Sequence, residues 1–390
     1  MRVYFDNAAT TPVDSEVMKS MLPFFSEKFG NPSSVHSFGQ EAEAALSESR
    51  DKIAKVLGAK SKEIIFTSGA TESNNLAILG VAEYFARKKP HFITSKIEHP
   101  AVLETFKELK KRGFDVDFIN VTPEGLVRID EIEKKIKKNT VLVSVMLANN
   151  EIGTLQPVRE IAPLIEAVRK KRTAKDLPLY LHTDAAQAFN YIPCSVDYLG
   201  VDLLTISGQK IFGPKGIGCL YVRESVKIKP IAFGGHQEHG LRPGTINVPL
   251  IVGLGKAMEL ADRDRASNIK KVKKLQDKIW SEIQKIKDVR LNGDWQQRLP
   301  NNLNVSFKNA EGESILMMLD MEGFAVSTGS ACSSGSLEPS HVLTAIGVKP
   351  QWTHGSVRIS LGKYNTEVEA KQFLNVLPKI IERLRKMAPK

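Results

Sequence analysis

Cysteine is scarce in this sequence. The chain of 390 residues contains three cysteines, Cys194, Cys219 and Cys332. An odd number of widely spaced cysteines argues against a disulfide framework and is typical of a reducing compartment, with one reactive thiol at most. Cys194 and Cys219 lie in or beside apolar, strand-like sequence, so we interpret both as buried packing thiols.

Long apolar runs are also missing. No run approaches the roughly 18 residues that a membrane helix needs. The first residues, MRVYFD, lack the apolar segment of a signal peptide. We therefore expect neither membrane association nor export, and predict a cytoplasmic location.

Positive charge is in excess, with a formal net charge of +11. Such an excess can indicate nucleic-acid binding. The lysines, however, alternate with apolar residues at helical spacing, as in residues 269–275, and no aromatic residues are interleaved with them. We interpret them as solvated helix faces and expect no direct contact with nucleic acid.

Short apolar strands alternate with amphipathic helices over much of the chain. Strands are predicted at 63–66, 91–95, 116–120, 141–147, 179–182, 203–206 and 217–222, and helices at 40–57, 67–84, 129–136, 158–170 and from 100 onward. This alternation predicts an α/β fold with a mostly parallel central sheet covered by helices on both faces. Ligands of such sheets bind beyond the carboxyl ends of the strands.

The pattern changes after about residue 253. Lysine-rich helical sequence to residue 286 precedes predicted strands at 302–307, 324–327 and 358–361 and a last helix at 366–387. A helix at 14–25 follows an extended N-terminal segment. We expect a large α/β domain at residues 15–255, and a smaller α+β domain made of residues 1–14 and 256–390.

The segment from residue 201 to 222 organises the rest of the chain. An apolar strand breaks at Ser207 and Gly208 and brings Lys210 to a tight corner before the turn sequence GPKG. A lysine held between two strands and partly desolvated can supply a neutral amine, as imine formation with an aldehyde cofactor requires. Taken alone, S-x-x-K more often marks a surface turn whose lysines are solvated, and it is the surrounding sequence that favours the cofactor lysine.

Three further loops supply groups that suit one cofactor. Ser68 to Thr71 opens a helix whose free N–H groups suit a phosphate. His99 is a ring at a strand end, and Asp184 follows another strand, with Gln187 three residues later. A phosphate cup, a ring, a carboxylate and a lysine are the groups that pyridoxal phosphate needs, the aspartate keeping its ring nitrogen protonated. Taken singly, His99 could be a polar residue beside a helix, and Asp184 a turn or cap.

At this point the sequence resembles the NifS/IscS-type cysteine desulfurases, fold-type I pyridoxal-phosphate enzymes of the class V aminotransferase family. The likeness covers essentially the whole chain. The motifs that carry it are YFDNAATTP, GNPSS, TSGATESNN, EHPA, NNEIGTLQP, TDAAQ, the Lys210 segment, RPGT, STGSACSSGSLEPS and VRISLG. Most are weak alone, but together and in this order they are highly specific.

The resemblance implies a role for each matching residue. Lys210 corresponds to the Schiff-base lysine, Asp184 to the partner of the pyridine nitrogen, and His99 to the residue that stacks on the ring and moves protons. Further cofactor contacts are implied for Ala70, Thr71, Asn150, Gln187, Ser207 and Gln209. Asn150 and Arg358 correspond to contacts of the substrate carboxylate. Thr245 corresponds to a threonine that reaches the phosphate of the neighbouring subunit, which implies a homodimer.

The implied reaction converts L-cysteine to L-alanine and leaves the sulfur as a persulfide on Cys332. The loop after Ser327 matches the longer form of the NifS/IscS type and lacks the short R-x-G-x-H-C form of the SufS type. The sulfur would pass to a protein acceptor, either an iron–sulfur scaffold or a tRNA-thiolation enzyme. A selenocysteine lyase, an aminotransferase and a non-catalytic scaffold with the same fold remain alternatives.

One position departs from the family pattern. Gln209 stands where the family usually has a histidine that contacts the phosphate, and glutamine can still donate a hydrogen bond but carries no charge. His236 and His239 flank Gln237 and Glu238 in a glycine-rich loop. A metal pair is one interpretation of these histidines, but we favour a loop on the phosphate or interface side and predict no metal site.

Overall fold

The computed structural model describes residues 2–328 and 339–387, so Cys332 lies outside the described residues. The strands in these ranges are β1 (Val3–Tyr4), β2 (Ile64–Thr67), β3 (His91–Ser95), β4 (Asp115–Ile119), β5 (Thr140–Ser144), β6 (Tyr180–Asp184), β7 (Leu203–Ser207), β8 (Gly218–Val222), β9 (Val289–Leu291), β10 (Asn302–Phe307), β11 (Phe324–Ala325), β12 (Ser327–Thr328) and β13 (Ser356–Ser360).

The α-helices follow the same chain order. They are α1 (Ser15–Met21), α2 (Pro23–Ser26), α3 (Ser37–Leu57), α4 (Ala70–Phe85), α5 (Pro100–Lys111), α6 (Ile129–Lys135), α7 (Val158–Lys171), α8 (Val196–Leu199), α9 (Val248–Arg263), α10 (Arg265–Ile283), α11 (Gly312–Met321), α12 (His341–Ala345), α13 (Pro350–Thr353) and α14 (Glu367–Met387). None of the helices in the described ranges is both long enough and apolar enough to span a bilayer.

A seven-stranded sheet forms the centre of the molecule, in the order β2-β8-β7-β6-β5-β3-β4. Neighbouring strands run parallel except that β8 is antiparallel to both β2 and β7. Every residue of these strands is buried except in the edge strand β4. The predicted mostly parallel sheet is confirmed.

Helices cover both faces of this sheet, because successive residues of a strand point to opposite sides. Ile64 and Phe66 pack into one apolar cluster and Ile65 between them into another. The second cluster includes buried residues of α4 and α5, whereas α3 and α9 pack together in the first. The molecule thus has helices on both faces of a mostly parallel sheet, as the alternation of strands and helices predicts.

A second, smaller sheet has the antiparallel order β12-β13-β10-β9. Helix α14 packs against α10 and α11 beside it. The N-terminal strand β1 pairs in parallel with β11, and Asp6 forms a bridge with Ser360 at the end of β13. The N-terminal segment therefore lies with the late part of the chain, although the domain boundaries themselves stay a prediction.

Several predicted elements differ from those observed. The single helix expected at 14–25 is two helices, because Pro23 has no N–H and starts a new one. The strand expected at 324–327 is two short strands that pair in different sheets. Strand β9 and the helices α8, α11, α12 and α13 were not predicted.

Candidate active site

A cavity of about 390 Å³ lies where the parallel strands of the large sheet reach their carboxyl ends. Residues from the loops after β2, β3, β5, β6 and β7 line it, together with one residue of β13. Ten of the predicted site residues are among them, namely Ala70, Thr71, His99, Asn150, Asp184, Gln187, Ser207, Gln209, Lys210 and Arg358. Cys332 is outside the described residues, and Thr245 lines a different cavity.

Lys210 ends a short 3-10 turn, Gly208–Lys210, between β7 and β8. Its Nζ donates to the carbonyl oxygens of Ala8 and Ala9, at 2.6 Å each. Asn190 Nδ2 donates to the carbonyl oxygen of Lys210 at 2.7 Å, which fixes the backbone of the turn. The N-terminal segment thus forms the wall against which the lysine amine is held.

Asp184 ends β6 and is almost entirely buried. Its Oδ2 accepts from Asn74 Nδ2 at 2.6 Å and its Oδ1 from the Ala186 N–H at 2.9 Å. His182, two residues earlier on β6, is hydrogen-bonded to Ser144, and burial lowers its pKa to about 3, so it stays neutral. The buried Asp184 carboxylate can hold a protonated ring nitrogen.

The N-terminus of α4 opens onto the cavity. Gly69 precedes its first residue, Ala70, and no side chain caps the helix. A Cβ on Gly218, the first residue of β8, would lie 2.8 Å from Gly69 Cα. Because Gly218 also pairs with Ser207, this close approach brings free helix N–H groups and a hydroxyl together. The pair suits the phosphate of the cofactor.

His99 is the N-cap of α5, which begins at Pro100. Its Nδ1 accepts from the Ala101 N–H at 3.1 Å, so the proton of the neutral ring lies on Nε2. Burial lowers the pKa of His99 and Lys210 lowers it further, while Asp184 opposes them. His99 therefore lines the cavity as a neutral ring whose remaining N–H is a donor.

Arg358, in the middle of β13, is 2% exposed. Its guanidinium donates to the carbonyl oxygen of Asn150 and to Asp6 Oδ1, both at 2.9 Å. Its Nε is buried and has no hydrogen-bond partner among the described residues. A guanidinium at a cavity wall suits a carboxylate.

Some neighbours of the predicted residues were missed from the sequence. Ala8 and Ala9 act through main-chain carbonyl groups, which every residue has, and Gln187 Nε2 also donates to Ala8 O at 3.0 Å. Asn74 and Asp6 lie within motifs that carried the resemblance, but nothing in their spacing pointed to Asp184 or Arg358.

Thr245 is exposed and lies beside a second, smaller cavity. Ser68, Gly216 and Ile217 line both this cavity and the main one. Thr245 is therefore next to the wall of the main cavity of its own chain but does not line it.

Residues 3–373 match the family described as aminotransferase class-V. The chain is 53% identical over 388 residues to the cysteine desulfurase IscS of Dictyoglomus turgidum, covering 99% of this chain and 96% of that protein. The cysteine desulfurase IscS 1 of Archaeoglobus fulgidus is 49% identical, covering 99% of this chain and 98% of that one.

The chain belongs to the class V aminotransferase family, among its IscS- and NifS-type cysteine desulfurases. A solved NifS-like protein superposes with a TM-score of 0.92 at 42% identity, covering 98% of this chain and all of that one. Another structure, described as SspA in complex with cysteine, superposes with a TM-score of 0.80 at 38% identity, covering 94% of this chain. The predicted family and fold are confirmed.

Enzymes of this family depend on pyridoxal 5'-phosphate, and the cavity of this desulfurase fits that cofactor. The fit rests on the uncapped N-terminus of α4 with Ser207, on the buried Asp184 carboxylate, and on the Lys210 amine at the same cavity. No group of three or more His, Cys, Asp or Glu in the described residues is arranged to hold a metal ion.

Neither of the two described cysteines of this desulfurase is suited to act as a nucleophile. Cys194 and Cys219 are both buried, as predicted, and burial raises the pKa of each thiol to about 12. The thiolate is the reactive form of cysteine, and so neither residue supplies it near neutral pH.

Proposed function

We propose that this enzyme converts L-cysteine to L-alanine and takes up the sulfur as a persulfide on Cys332. The observation that carries the proposal is that Arg358 and Lys210 line the same cavity, since the guanidinium provides for an amino acid's carboxylate and the lysine amine for an aldehyde cofactor. The cysteine desulfurase names of the relatives and the cysteine in one solved relative support the choice of substrate.

Different side chains would hold different parts of the cofactor. Asp184 would keep a proton on the ring nitrogen, and the N-terminus of α4 with Thr71 and Ser207 would hold the phosphate. The bound cofactor supplies an aldehyde that captures amines and a ring that accepts electrons from the substrate's α-carbon. Lys210, whose amine lies in the same cavity beside the carbonyl oxygens of Ala8 and Ala9, would take the α-proton as a neutral amine.

Asn150 and Arg358 would fix the substrate by its carboxylate, with Asp6 holding the guanidinium in place. His99, neutral and half-buried, would pack against the ring and donate from Nε2. Gln209 supplies an uncharged contact where the family usually has histidine, so the helix N-terminus has a larger share in holding the phosphate.

The sulfur step belongs to Cys332. Its thiolate attacks the substrate's sulfur, forming the S–S bond while the bond from sulfur to the β-carbon breaks. The electron pair stays with the carbon, which takes a proton and leaves as alanine. One cysteine and one enzyme thiol thus give one alanine and one persulfide, without an external oxidant.

Incubation with cysteine tests this proposal directly. Mass spectrometry should find one added sulfur on the peptide that contains Cys332, and alanine in equal amount in the first turnover. Cys332→Ser should bind cofactor and still show the absorbance change caused by cysteine, but form no alanine. If the added sulfur maps to Cys194 or Cys219, or if an oxo acid appears as in an aminotransferase, the proposal is wrong.

The fate of the sulfur is a further part of the proposal. We infer a protein acceptor, an iron–sulfur scaffold or a tRNA-thiolation enzyme, and a cytoplasmic location where free thiols persist. Transfer of ³⁵S from the loaded enzyme to purified candidate acceptors, followed on non-reducing gels, separates the two. Equal transfer to an unrelated protein thiol would contradict a dedicated acceptor.

We also infer a homodimer in which Thr245 reaches the phosphate site of the partner. Thr245 is exposed and does not line the main cavity of its own chain, as a contact with the partner's phosphate site requires. Large apolar side chains also remain exposed around α2 and the start of α3, namely Phe25, Phe29, Val35 and Phe38.

Hybrid dimers give a sharp test of the shared site. Lys210→Ala and Thr245→Val should each be poorly active alone. A mixed dimer should regain activity, because one of its two sites then has an intact lysine and an intact threonine from the other subunit. A contact within one chain would leave both sites of the hybrid defective, and a fully active monomer in sedimentation would exclude the dimer.

A further inference from the structure

Two buried acids stand next to residues that line the cavity. Glu98 precedes His99 and Glu151 follows Asn150. Both acids are almost wholly removed from solvent, and burial raises the pKa of Glu98 to about 8 and that of Glu151 to about 7. The reaction proposed above assigns no role to either residue.

Both acids contact the same dipeptide, Ser340–His341, at the start of α12. The Ser340 hydroxyl donates to Glu151 Oε2, and the oxygen of that hydroxyl also accepts from the N–H groups of Val342 and Leu343, as the helix cap. His341 Nε2 lies 3.0 Å from the carbonyl oxygen of Glu98, to which it can only donate. The dipeptide is thus tied at two points to the cavity wall.

The Glu151 end of this contact is rigid. Its N–H donates to Asn149 Oδ1 at 2.9 Å, and its carbonyl oxygen accepts from Asn304 Nδ2 at 3.1 Å and Asn302 Nδ2 at 3.3 Å. The preceding carbonyl, that of Asn150, accepts from Arg358. Since the backbone is held on both sides, the Glu151 carboxyl is a fixed acceptor for the Ser340 hydroxyl.

The hydrogen bond between Ser340 and Glu151 is polar and buried, which indicates a role beyond packing. A buried carboxyl with a single side-chain partner is expensive to keep, and an apolar side chain would fill the same volume at lower cost. Arg358 is close enough to Glu151 to oppose the effect of burial on its pKa. The Glu151 carboxyl therefore accepts from Ser340, in the chain that leads back to Cys332, and its residue follows Asn150, whose carbonyl oxygen accepts from Arg358 of the cavity.

We propose that Glu151 is a positioning residue for the sulfur step, acting through Ser340. It fixes the point, two residues beyond residue 338, at which the chain that carries Cys332 is attached to the cavity wall. The inference rests on the proposed function, because it concerns transfer of sulfur to Cys332. It predicts that loss of the contact slows this transfer but leaves the binding of cofactor and cysteine intact.

Three variants test the contact from both sides. Glu151→Leu removes the acceptor at similar volume, Ser340→Ala removes the donor, and Glu151→Gln keeps an acceptor for the Ser340 hydroxyl. Cofactor affinity is measured by absorbance titration of the apoprotein, cysteine affinity by the absorbance change it causes, and the single-turnover rate of persulfide formation by quenched mass spectrometry of Cys332.

We expect persulfide formation to slow about tenfold or more in Glu151→Leu and in Ser340→Ala, with both affinities within about twofold of the wild type, as for loss of one hydrogen bond to a charged group. Glu151→Gln should recover most of the rate. The double variant should be no slower than the slower single variant, because both changes break the same contact. Glu63→Gln, at a buried glutamate that accepts from the N–H groups of Lys60 and Glu224 in another part of the fold, is the matched control and should match the wild type.

Parallel losses of both affinities and of the rate would show a structural role and overturn the proposal, as would additive effects in the double variant or no rescue by glutamine. If Glu151→Leu does not fold, the persulfide rate of Ser340→Ala alone decides between the proposal and a purely structural role. The wild type separates this inference from the function on which it rests. A wild type that forms no Cys332 persulfide refutes the function, whereas normal persulfide rates in all variants refute only the role of Glu151.

Discussion

Glu98 is the residue whose burial has the clearest effect on stability. Its carboxyl accepts from Ser95 Oγ and from the Met146 N–H, but burial outweighs these contacts and raises its pKa from 4.5 to about 8. Between these two values the folded protein holds a proton that the unfolded chain has lost. The stabilising effect of this proton is complete below pH 4.5 and disappears as the pH rises through about 8.

We therefore predict that the contribution of Glu98 to the free energy of unfolding decreases between pH 5 and 8. Glu98→Gln, which cannot ionise, should flatten this part of the stability profile. Urea unfolding at several pH values measures it. A wild type and a variant with parallel profiles would contradict the assigned ionisation.

The buried thiols give a second prediction at this scale. Cys219, the second residue of β8, is wholly buried, so Cys219→Ser should lower the free energy of unfolding by roughly 1–3 kcal/mol if its hydroxyl finds no partner. The persulfide on Cys332 should form at the wild-type rate. Thermal unfolding and mass spectrometry measure the two effects, and slower persulfide formation with unchanged stability would be the opposite of this expectation.

The site residues that could be predicted are those whose side-chain chemistry matched a cofactor need. Lys210, Asp184 and His99 were found in this way, and all three line the cavity. Ala8 and Ala9, which accept from the lysine amine, could not be found from the sequence. They accept through main-chain carbonyl groups, and every residue type has one. The roles assigned to these residues stay predictions until the variants are measured.

At the scale of elements, the junction of β8 and α4 is the tightest part of the site. A Cβ on Gly218 would lie 2.6 Å from the carbonyl oxygen of Ile206 and 2.8 Å from Gly69 Cα, and both neighbours are backbone. Gly218→Ala should therefore displace the N-terminus of α4 from Ser207. We predict an affinity for pyridoxal phosphate at least about tenfold lower and a stability loss of about 1–3 kcal/mol.

Titration of the apoprotein with cofactor measures this effect. Gly113→Ala is the control, because its added methyl would meet open space and bring only the strain of a positive φ. It should lose some stability but keep its cofactor affinity. Equal affinity losses in the two variants would mean that the junction has no special role.

The elements also show which features the sequence could predict. The alternation of apolar strands and amphipathic helices was enough for the layers of the large sheet. It could not give the direction of β8, since the alternation of side chains is the same in parallel and antiparallel strands. It also missed the break before Pro23, where α2 begins, because the apolar periodicity continues across it.

For the whole molecule, the position of the N-terminal segment leads to a prediction about exchange. The Val3 and Phe5 N–H groups donate to the carbonyl oxygens of Gly323 and Ala325, and Ser360 N–H donates to Phe5 O. Residues 3–7 should therefore exchange their amide hydrogens as slowly as β11 and β13. Hydrogen-exchange mass spectrometry tests this, and exchange of residues 3–7 at the faster rate of an exposed terminus would contradict it. Slow exchange would also support placing residues 1–14 with 256–390.

This pairing of the first strand with the last sheet has a consequence for synthesis. At about 5–20 residues per second, tens of seconds separate the appearance of residue 6 from that of its partner, residue 360, on the ribosome. Lys210 emerges in between, before the strands that hold the N-terminal segment in register exist. The hydrogen bonds that join Val3 and Phe5 to residues 323, 325 and 360 therefore form only after that interval. The part of the wall that precedes Ala8 and Ala9 is thereby the last to be fixed beside the reactive lysine.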